Sequence, residues 1–185
     1  LNEAVTEAAL DENGNPVADA VSNAGTISAE GGMVILTASV LGDIFENAVN
    51  NEGVIKANSL VEENGTVYLL AEGDNARAAT TGTIDVSGAE EGAAGGFVEV
   101  SAPRVVVDGS IDLKGYAAAN GMLSIDPYDV YVMTNDPGVN PGDSYVSEAS
   151  LEALTGSFDI SADHWVYFDL DDGVLSLLGM KGADF

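Results

Sequence analysis

Three features of the sequence predict that this chain folds as a parallel β-helix, a solenoid built from short strands. A glycine–isoleucine motif recurs about every 28 residues, and its polar and apolar positions alternate. A second strand-like segment follows each copy of the motif after a further glycine. The composition is 46% hydrophobic but only 6% aromatic, with 22 glycines, which favours short strands and tight turns over a helical bundle.

The first strand of each predicted coil is the repeated motif itself. Its four copies begin at glycines spaced 28, 29 and 27 residues apart, Gly25, Gly53, Gly82 and Gly109. Alternation with period two places one side chain inside and the next outside. We therefore expect the third residues of the motif to stack in one buried column, Ile27, Ile55, Ile84 and Ile111. We also expect the corner glycines to supply positive φ angles.

The other two strands of each coil follow in order along the chain. Aliphatic segments at 33–38, 66–71, 97–100 and 122–125 form the second set, and shorter ones at 48–49, 105–107 and 130–132 form the third. One coil cannot bury its inward side chains alone. The next coil, stacked about 4.8 Å above it, pairs every strand in parallel and closes a dry core.

The flanking regions are less regular than these coils. Residues 1–24 are an entry region, 25–132 the regular coils, and 133–157 a loop and helix insertion with several prolines and glycines. We expect a short helix near 147–155, with Ser147 as its N-cap and Gly156 as its stop. Further strands are expected within 158–185, and we expect them to continue in a longer parent protein.

The charge and the cysteine content limit the function classes. The chain has 31 acidic and 5 basic residues, a net charge of -26, which opposes binding to nucleic acid or to anionic lipid. No run of about 18 apolar residues is present, so we expect no membrane span. The absence of cysteine suits export in an unfolded state, because no disulfide can form before the chain has crossed.

Several segments in succession resemble filamentous-haemagglutinin-type exoproteins of bacterial two-partner secretion. They read VSNAGTISAEGG at 21–32, ILTA at 35–38, AVNNEGVI at 48–55, GTIDVSG at 82–88, GGFVEV at 95–100 and LSIDP at 123–127. The resemblance covers residues 17–132 best.

This resemblance implies a right-handed β-helix on the bacterial surface or secreted from the cell. It also implies export through an outer-membrane β-barrel transporter and a role in adhesion, biofilm or surface fibres. The partners expected on this basis are other copies of the chain in a fibre, or a surface glycan or protein of the host. Loops at 39–47, 72–80 and 133–157 are the predicted binding loops, because loops on a rigid scaffold commonly carry recognition.

Two alternatives remain open from the residues alone. A carbohydrate-active enzyme on the same fold would need paired carboxylates, and Asp85 and Asp112 occupy equivalent outward positions of adjacent coils. A lyase would need a basic residue from the five present, Lys56, Arg77, Arg104, Lys114 and Lys181. A soluble partner-binding module is the other alternative. We expect no enzyme activity and assign no catalytic residue.

Three further groups of residues are candidates for a functional site. Asp169, Asp171 and Asp172 resemble part of a calcium loop, so they are candidates for loosely bound Ca²⁺, and no other cofactor is expected. His164 adjoins Asp163 without any recognisable nucleophile, so we expect a surface histidine. The six tyrosines could form a sugar-binding stripe. Because they are scattered along a chain with few aromatic residues, we expect them to be packing and rim residues instead: Tyr68, Tyr116, Tyr128, Tyr131, Tyr145 and Tyr167.

Overall fold

The described part of the chain is almost entirely short strands. A computed structural model describes residues 5–7, 9–41, 44–134 and 144–170. In these ranges the first strands are β1 (Asp19–Asn23), β2 (Thr26–Ser28), β3 (Met33–Ser39), β4 (Asn47–Asn51), β5 (Val54–Lys56), β6 (Thr66–Glu72), β7 (Arg77–Thr80) and β8 (Thr83–Asp85). The remaining elements are β9 (Phe97–Ser101), β10 (Arg104–Val107), β11 (Ser110–Asp112), β12 (Met122–Asp126), β13 (Asp129–Met133), β14 (Tyr145–Ser147), α1 (Glu148–Glu152), β15 (Ser157–Ile160) and β16 (Trp165–Asp169).

These strands form three parallel sheets that run along one β-solenoid of about four turns, with coils about 29 residues apart. From β1 to β12 the strands join the three sheets in strict rotation, so each coil contributes one strand to each sheet. The four-stranded sheet has the order β11-β8-β5-β2, and the five-stranded sheet has the order β15-β12-β9-β6-β3. The seven-stranded sheet has the order β1-β4-β7-β10-β14-β13-β16. The predicted parallel β-helix is therefore confirmed.

The predicted isoleucine column is present in the four-stranded sheet. Ile27 pairs with Ile55, Ile55 with Ile84, and Ile84 with Ile111. The last three are buried, whereas Ile27 is only half-buried because it belongs to the first coil of the column. A parallel column in the five-stranded sheet contains Leu69, Val100, Ile125 and Ile160.

The repeated glycines also stack in columns, but the reason predicted for them is wrong. Among the described glycines, positive φ occurs at Gly14, Gly31, Gly73 and Gly92, none of which begins a motif. A Cβ on Gly82 would instead lie 2.1 Å from the carbonyl oxygen of Gly53 in the coil before it. Gly53 and Gly109 meet the preceding motif glycine at 2.2 Å in the same way. Close approach between coils, and not φ, therefore requires glycine at these corners.

A polar ladder lies inside one corner of the coils. Asn23 donates through its side-chain amide to Oδ1 of Asn51 at 2.8 Å, and Asn51 donates to Oγ1 of Thr80 at 3.2 Å. All three side chains are buried. Because a buried amide without a partner is costly, this stack fixes the register of three successive coils.

The stacking order changes at the C-terminal end of the seven-stranded sheet. Strand β14 pairs with β10 on one side and with β13 on the other, so it occupies a place between two strands that precede it in the chain. Its three residues are buried, and α1 follows it with Leu151 and Leu154 in the core. Ser147 caps α1 as predicted. Within the segment expected as a loop and helix insertion, three side chains belong to the hydrophobic core: Val146, Leu151 and Leu154.

Candidate functional site

A column of tyrosines lies on the outer side of the seven-stranded sheet. Tyr131 of β13 is in register with Tyr145 of β14 and with Tyr167 of β16. The neighbouring residues Val130 and Val132 are fully buried, so alternation along β13 directs Tyr131 away from the core. The inserted strand β14 therefore adds a third tyrosine to a row that sequence order alone would not bring together.

The rings around Tyr131 pack edge to face. Its ring centroid lies 5.0 Å from that of Trp165, at 86° between planes, and 5.6 Å from that of Tyr167, at 68°. Such T-shaped pairs are favourable beyond simple burial. Trp165 nevertheless remains 43% exposed and Tyr167 52% exposed, whereas Tyr145 is buried.

A second contact at the start of the same strands extends this surface. The rings of Tyr128 and His164 lie 6.0 Å apart with an interplanar angle of 30°. The backbone amide of His164 donates to the carbonyl oxygen of Tyr128 at 3.0 Å, which holds the two turns together. We define the aromatic face as Tyr128, Tyr131, His164, Trp165 and Tyr167.

One carboxylate borders the aromatic face. Oδ1 of Asp129 lies 3.3 Å from Nδ1 of His164, which is an ion-pair distance when the histidine is protonated. The same oxygen is buried from solvent and makes no hydrogen bond. His164 therefore faces Asp129 of the previous coil and not its sequence neighbour Asp163.

The sequence prediction missed this grouping of tyrosines. Three of the six expected packing and rim residues lie in one column, and Tyr128 stacks on His164 beside it. A signal was available, because Tyr131, Tyr145 and Tyr167 are each followed by valine or phenylalanine in a strand-like segment. The other two lie elsewhere: Tyr68 packs against Phe97 at 5.9 Å, and Tyr116 is exposed in a loop.

The paired carboxylates of the enzyme alternative are adjacent as predicted, since Asp85 is in register with Asp112. Each already has partners. Asp85 accepts from the Ser87 hydroxyl at 2.6 Å and from the Asn58 amide at 2.7 Å. Burial raises the pKa of Asp85, but these hydrogen bonds and the nearby charge of Lys56 outweigh it, so the pKa lies below its ordinary value. Asp112 accepts the backbone amide of Lys114 at 3.0 Å.

The calcium candidates are only partly covered by the structure. Asp169 ends β16 and is exposed, whereas Asp171 and Asp172 lie outside the described residues. Within the described ranges, no group of three or more acidic or histidine side chains is placed to hold a metal ion.

The structure revises the extent of the predicted binding loops, and their role in binding stays a prediction. Of the loop expected at 133–157, residues 145–152 form β14 and α1, and residues 135–143 lie outside the described ranges. Residues 77–80 of the expected loop 72–80 form β7, which leaves only a short turn before it. The connection at 39–47 runs between β3 and β4, and its described part includes the buried Val40. Longer connections occur at 57–65, 86–96 and 113–121. These stack at one corner, where the Gly92 amide donates to the Tyr116 carbonyl oxygen.

Comparisons of the whole chain add no identification. Of the helices in the described ranges, none has the length and apolar character needed to cross a membrane. The chain matches no protein-family model, no curated protein and no solved structure.

Proposed function

We propose that this chain is part of a secreted or cell-surface bacterial rod that positions an adhesive surface away from the cell. The observation that supports the proposal is the in-register stacking of whole coils, seen in the buried column from Ile27 to Ile111. Such an architecture lengthens by adding coils, and each coil contacts only its neighbours. Reach and rigidity are therefore properties of the repeat itself.

The composition is consistent with this role outside the cell. A net charge of -26 favours solubility and opposes side-by-side aggregation of long particles. A chain without cysteine cannot form a disulfide before crossing an outer-membrane transporter. The resemblance of residues 17–132 to filamentous-haemagglutinin-type exoproteins agrees with both points.

Enzymes also use parallel β-helices, so the proposal depends on how the surface residues are engaged. The only outward acidic pair singled out from the sequence is Asp85 and Asp112, and both carboxylates already accept hydrogen bonds from neighbouring groups of the protein. A nucleophile or acid–base pair would need groups that are free to reach a substrate. The aromatic face, in contrast, has exposed rings that a ligand can contact, which favours a binding role over a catalytic one.

Immunogold electron microscopy of the source cells tests the location. Antibodies raised against the purified chain should label material outside the outer membrane, and thin filaments should carry the label. Label confined to the cell interior would overturn the proposal of a surface rod.

A blocking experiment tests the adhesive role. Fab fragments of the same antibodies should reduce attachment of the cells to a surface that they colonise, whereas Fab fragments from non-immune serum should not. Undiminished attachment with saturating Fab would leave a purely structural role and remove the adhesive one.

A further inference from the structure

We propose that the aromatic face binds an uncharged polysaccharide built from pyranose sugars. The inference names a ligand class for the adhesive rod, and it rests on the proposed function for its biological setting. Its physical basis is local, in side chains of β13, β16 and the turns before them.

Exposed rings that are held in place provide the stacking surface. Trp165 and Tyr167 are each about half-exposed, yet both pack against Tyr131 at centroid distances of 5.0 and 5.6 Å. A pyranose ring has an apolar face of C–H groups and a rim of hydroxyl groups. A fixed aromatic ring can cover that apolar face while the hydroxyl groups remain hydrated or hydrogen-bonded.

The arrangement of the rings suits a chain of sugars better than a single sugar. Parallel strands lie about 4.8 Å apart, so Tyr131 and Tyr167 follow one another along the axis of the solenoid at that spacing. Tyr128 and His164 form a second stacked pair at the start of the same two strands. A polysaccharide lying across both groups contacts several rings at once.

Polar groups for the sugar hydroxyls border these rings. Asp129 lies in register with Trp165, and its side chain is 37% exposed, although Oδ1 itself is buried beside His164. The His164 side chain is 64% exposed and carries nitrogen atoms that can donate to or accept from a sugar hydroxyl.

The charge of the chain selects among glycans. A net charge of -26 repels uronate and sulfated polymers, and Asp129 adds a negative charge at the site itself. An uncharged sugar incurs no such repulsion. Among the described strands β16 is the last in its sheet, and any further strand pairing with it would lie in the plane of the sheet, so the outward rings of Trp165 and Tyr167 would stay accessible.

Fluorescence of the full chain tests the proposal directly, because Trp165 is the only tryptophan in the sequence. Cellohexaose, xylohexaose and mannohexaose are titrated separately, with hexagalacturonate as the charged comparison. At least one neutral oligosaccharide should change the Trp165 emission saturably, and hexagalacturonate should not. No saturable change with any of the three would overturn the proposal, as would a response to hexagalacturonate alone.

Variants locate the binding by isothermal calorimetry, which does not depend on tryptophan. Trp165→Ala and Tyr167→Ala should each weaken binding about tenfold or more, whereas Trp165→Phe should retain most of it. Tyr116→Ala, at an exposed tyrosine outside the face, is the matched control. Circular dichroism identifies any variant that fails to fold. If an alanine variant does not fold, the affinity of the conservative Trp165→Phe variant still tests the site. Equal loss in Tyr116→Ala would contradict the assigned site.

A second copy of the chain is the competing occupant. Sedimentation measures self-association of the chain. If the chain self-associates, if Tyr167→Ala abolishes this association, and if no sugar gives a response, then the ligand of the aromatic face is a second copy of the chain and not a glycan. If the chain binds a glycan but immunogold microscopy finds no filaments outside the cell, the glycan site is supported and the proposed surface rod is rejected.

Discussion

The regular coils and the C-terminal coils of this protein use their outer surface differently. From β1 to β12 the strands stack in chain order, and the outer column of the seven-stranded sheet carries Ser22, Asn50, Ala79 and then Val106. From β13 to β16 one strand enters out of order, and the same column continues with Tyr145, Tyr131 and Tyr167. The first region is built for repetition, and the second concentrates the groups suited to recognition.

The difference teaches that a solenoid can gain a surface feature by changing its stacking order instead of extending a loop. Inserting β14 between β10 and β13 places Tyr145 beneath Tyr131. Tyr145 is buried, Tyr131 beside it is half-buried, and the exposed rings of Trp165 and Tyr167 follow on β16. Both regions share one core, so the aromatic face is held on a rigid scaffold.

The largest expected effect comes from placing a charge in one inward column at two different coils. Val100→Asp should cost about 4 kcal/mol or more of unfolding free energy, because an unpaired carboxylate would be fully buried. Ile160→Asp lies in the same column but is only half-buried, so it should cost distinctly less. Urea unfolding measures both, and equal costs would contradict the described difference between the two regions.

A glycine substitution sharpens the description of the regular coils. Gly82→Ala should destabilise by a few kcal/mol, on the order of other backbone-clash mutations, because its Cβ would meet the Gly53 oxygen at 2.1 Å. Gly14→Ala is the control, since Gly14 has a φ of 81° but no atom within 4 Å of an added Cβ. It should cost about 1 kcal/mol from backbone conformation alone. If Gly14→Ala lowered the melting temperature more than Gly82→Ala did, close approach between coils would not explain the motif glycines.

A smaller effect depends on pH and concerns Asp85. Its folded pKa lies below the ordinary value of 3.8, so the charged carboxylate stabilises the fold above that pH and this contribution is lost as pH falls through the folded pKa. Asp85→Asn should therefore be less stable than the natural chain at neutral pH, and the gap should narrow as the pH falls below about 4. Urea unfolding at a series of pH values measures it. A gap that widens on acidification would contradict this account.

The sequence was sufficient to predict the coil and its inward columns because these depend on local alternation and a regular period. Ile84 had to face inward once its neighbours were polar, and its partners followed from the spacing. The place of β14 was not predictable in this way, because it depends on pairing with two strands, β10 and β13, and not on the local repeat. The aromatic face depends on that placement, so its residues looked scattered when read in order.

The role of the motif glycines shows a different limit. Their positions followed from the repeat, but the contact that requires Gly53 lies with Gly25 in another coil. A turn angle is a local property, and a close approach between coils appears only after stacking. The expected loop at 72–80 was wrong for a related reason, since Ala78, flanked by residues without strong strand preference, takes its strand conformation from pairing with Val49 and Val105.

Engineered disulfides test the central claim, that successive coils stack in register, most directly. The chain has no natural cysteine, and Lys56, Asp85 and Asp112 lie one above another in a single outward column. Lys56→Cys with Asp85→Cys, and Asp85→Cys with Asp112→Cys, should each form a disulfide on mild oxidation of the folded chain, because adjacent parallel strands are about 4.8 Å apart. Lys56→Cys with Asp112→Cys spans two coils and should remain reduced. Rapid cross-linking of that third pair, or none in the first two, would contradict the stacked coils.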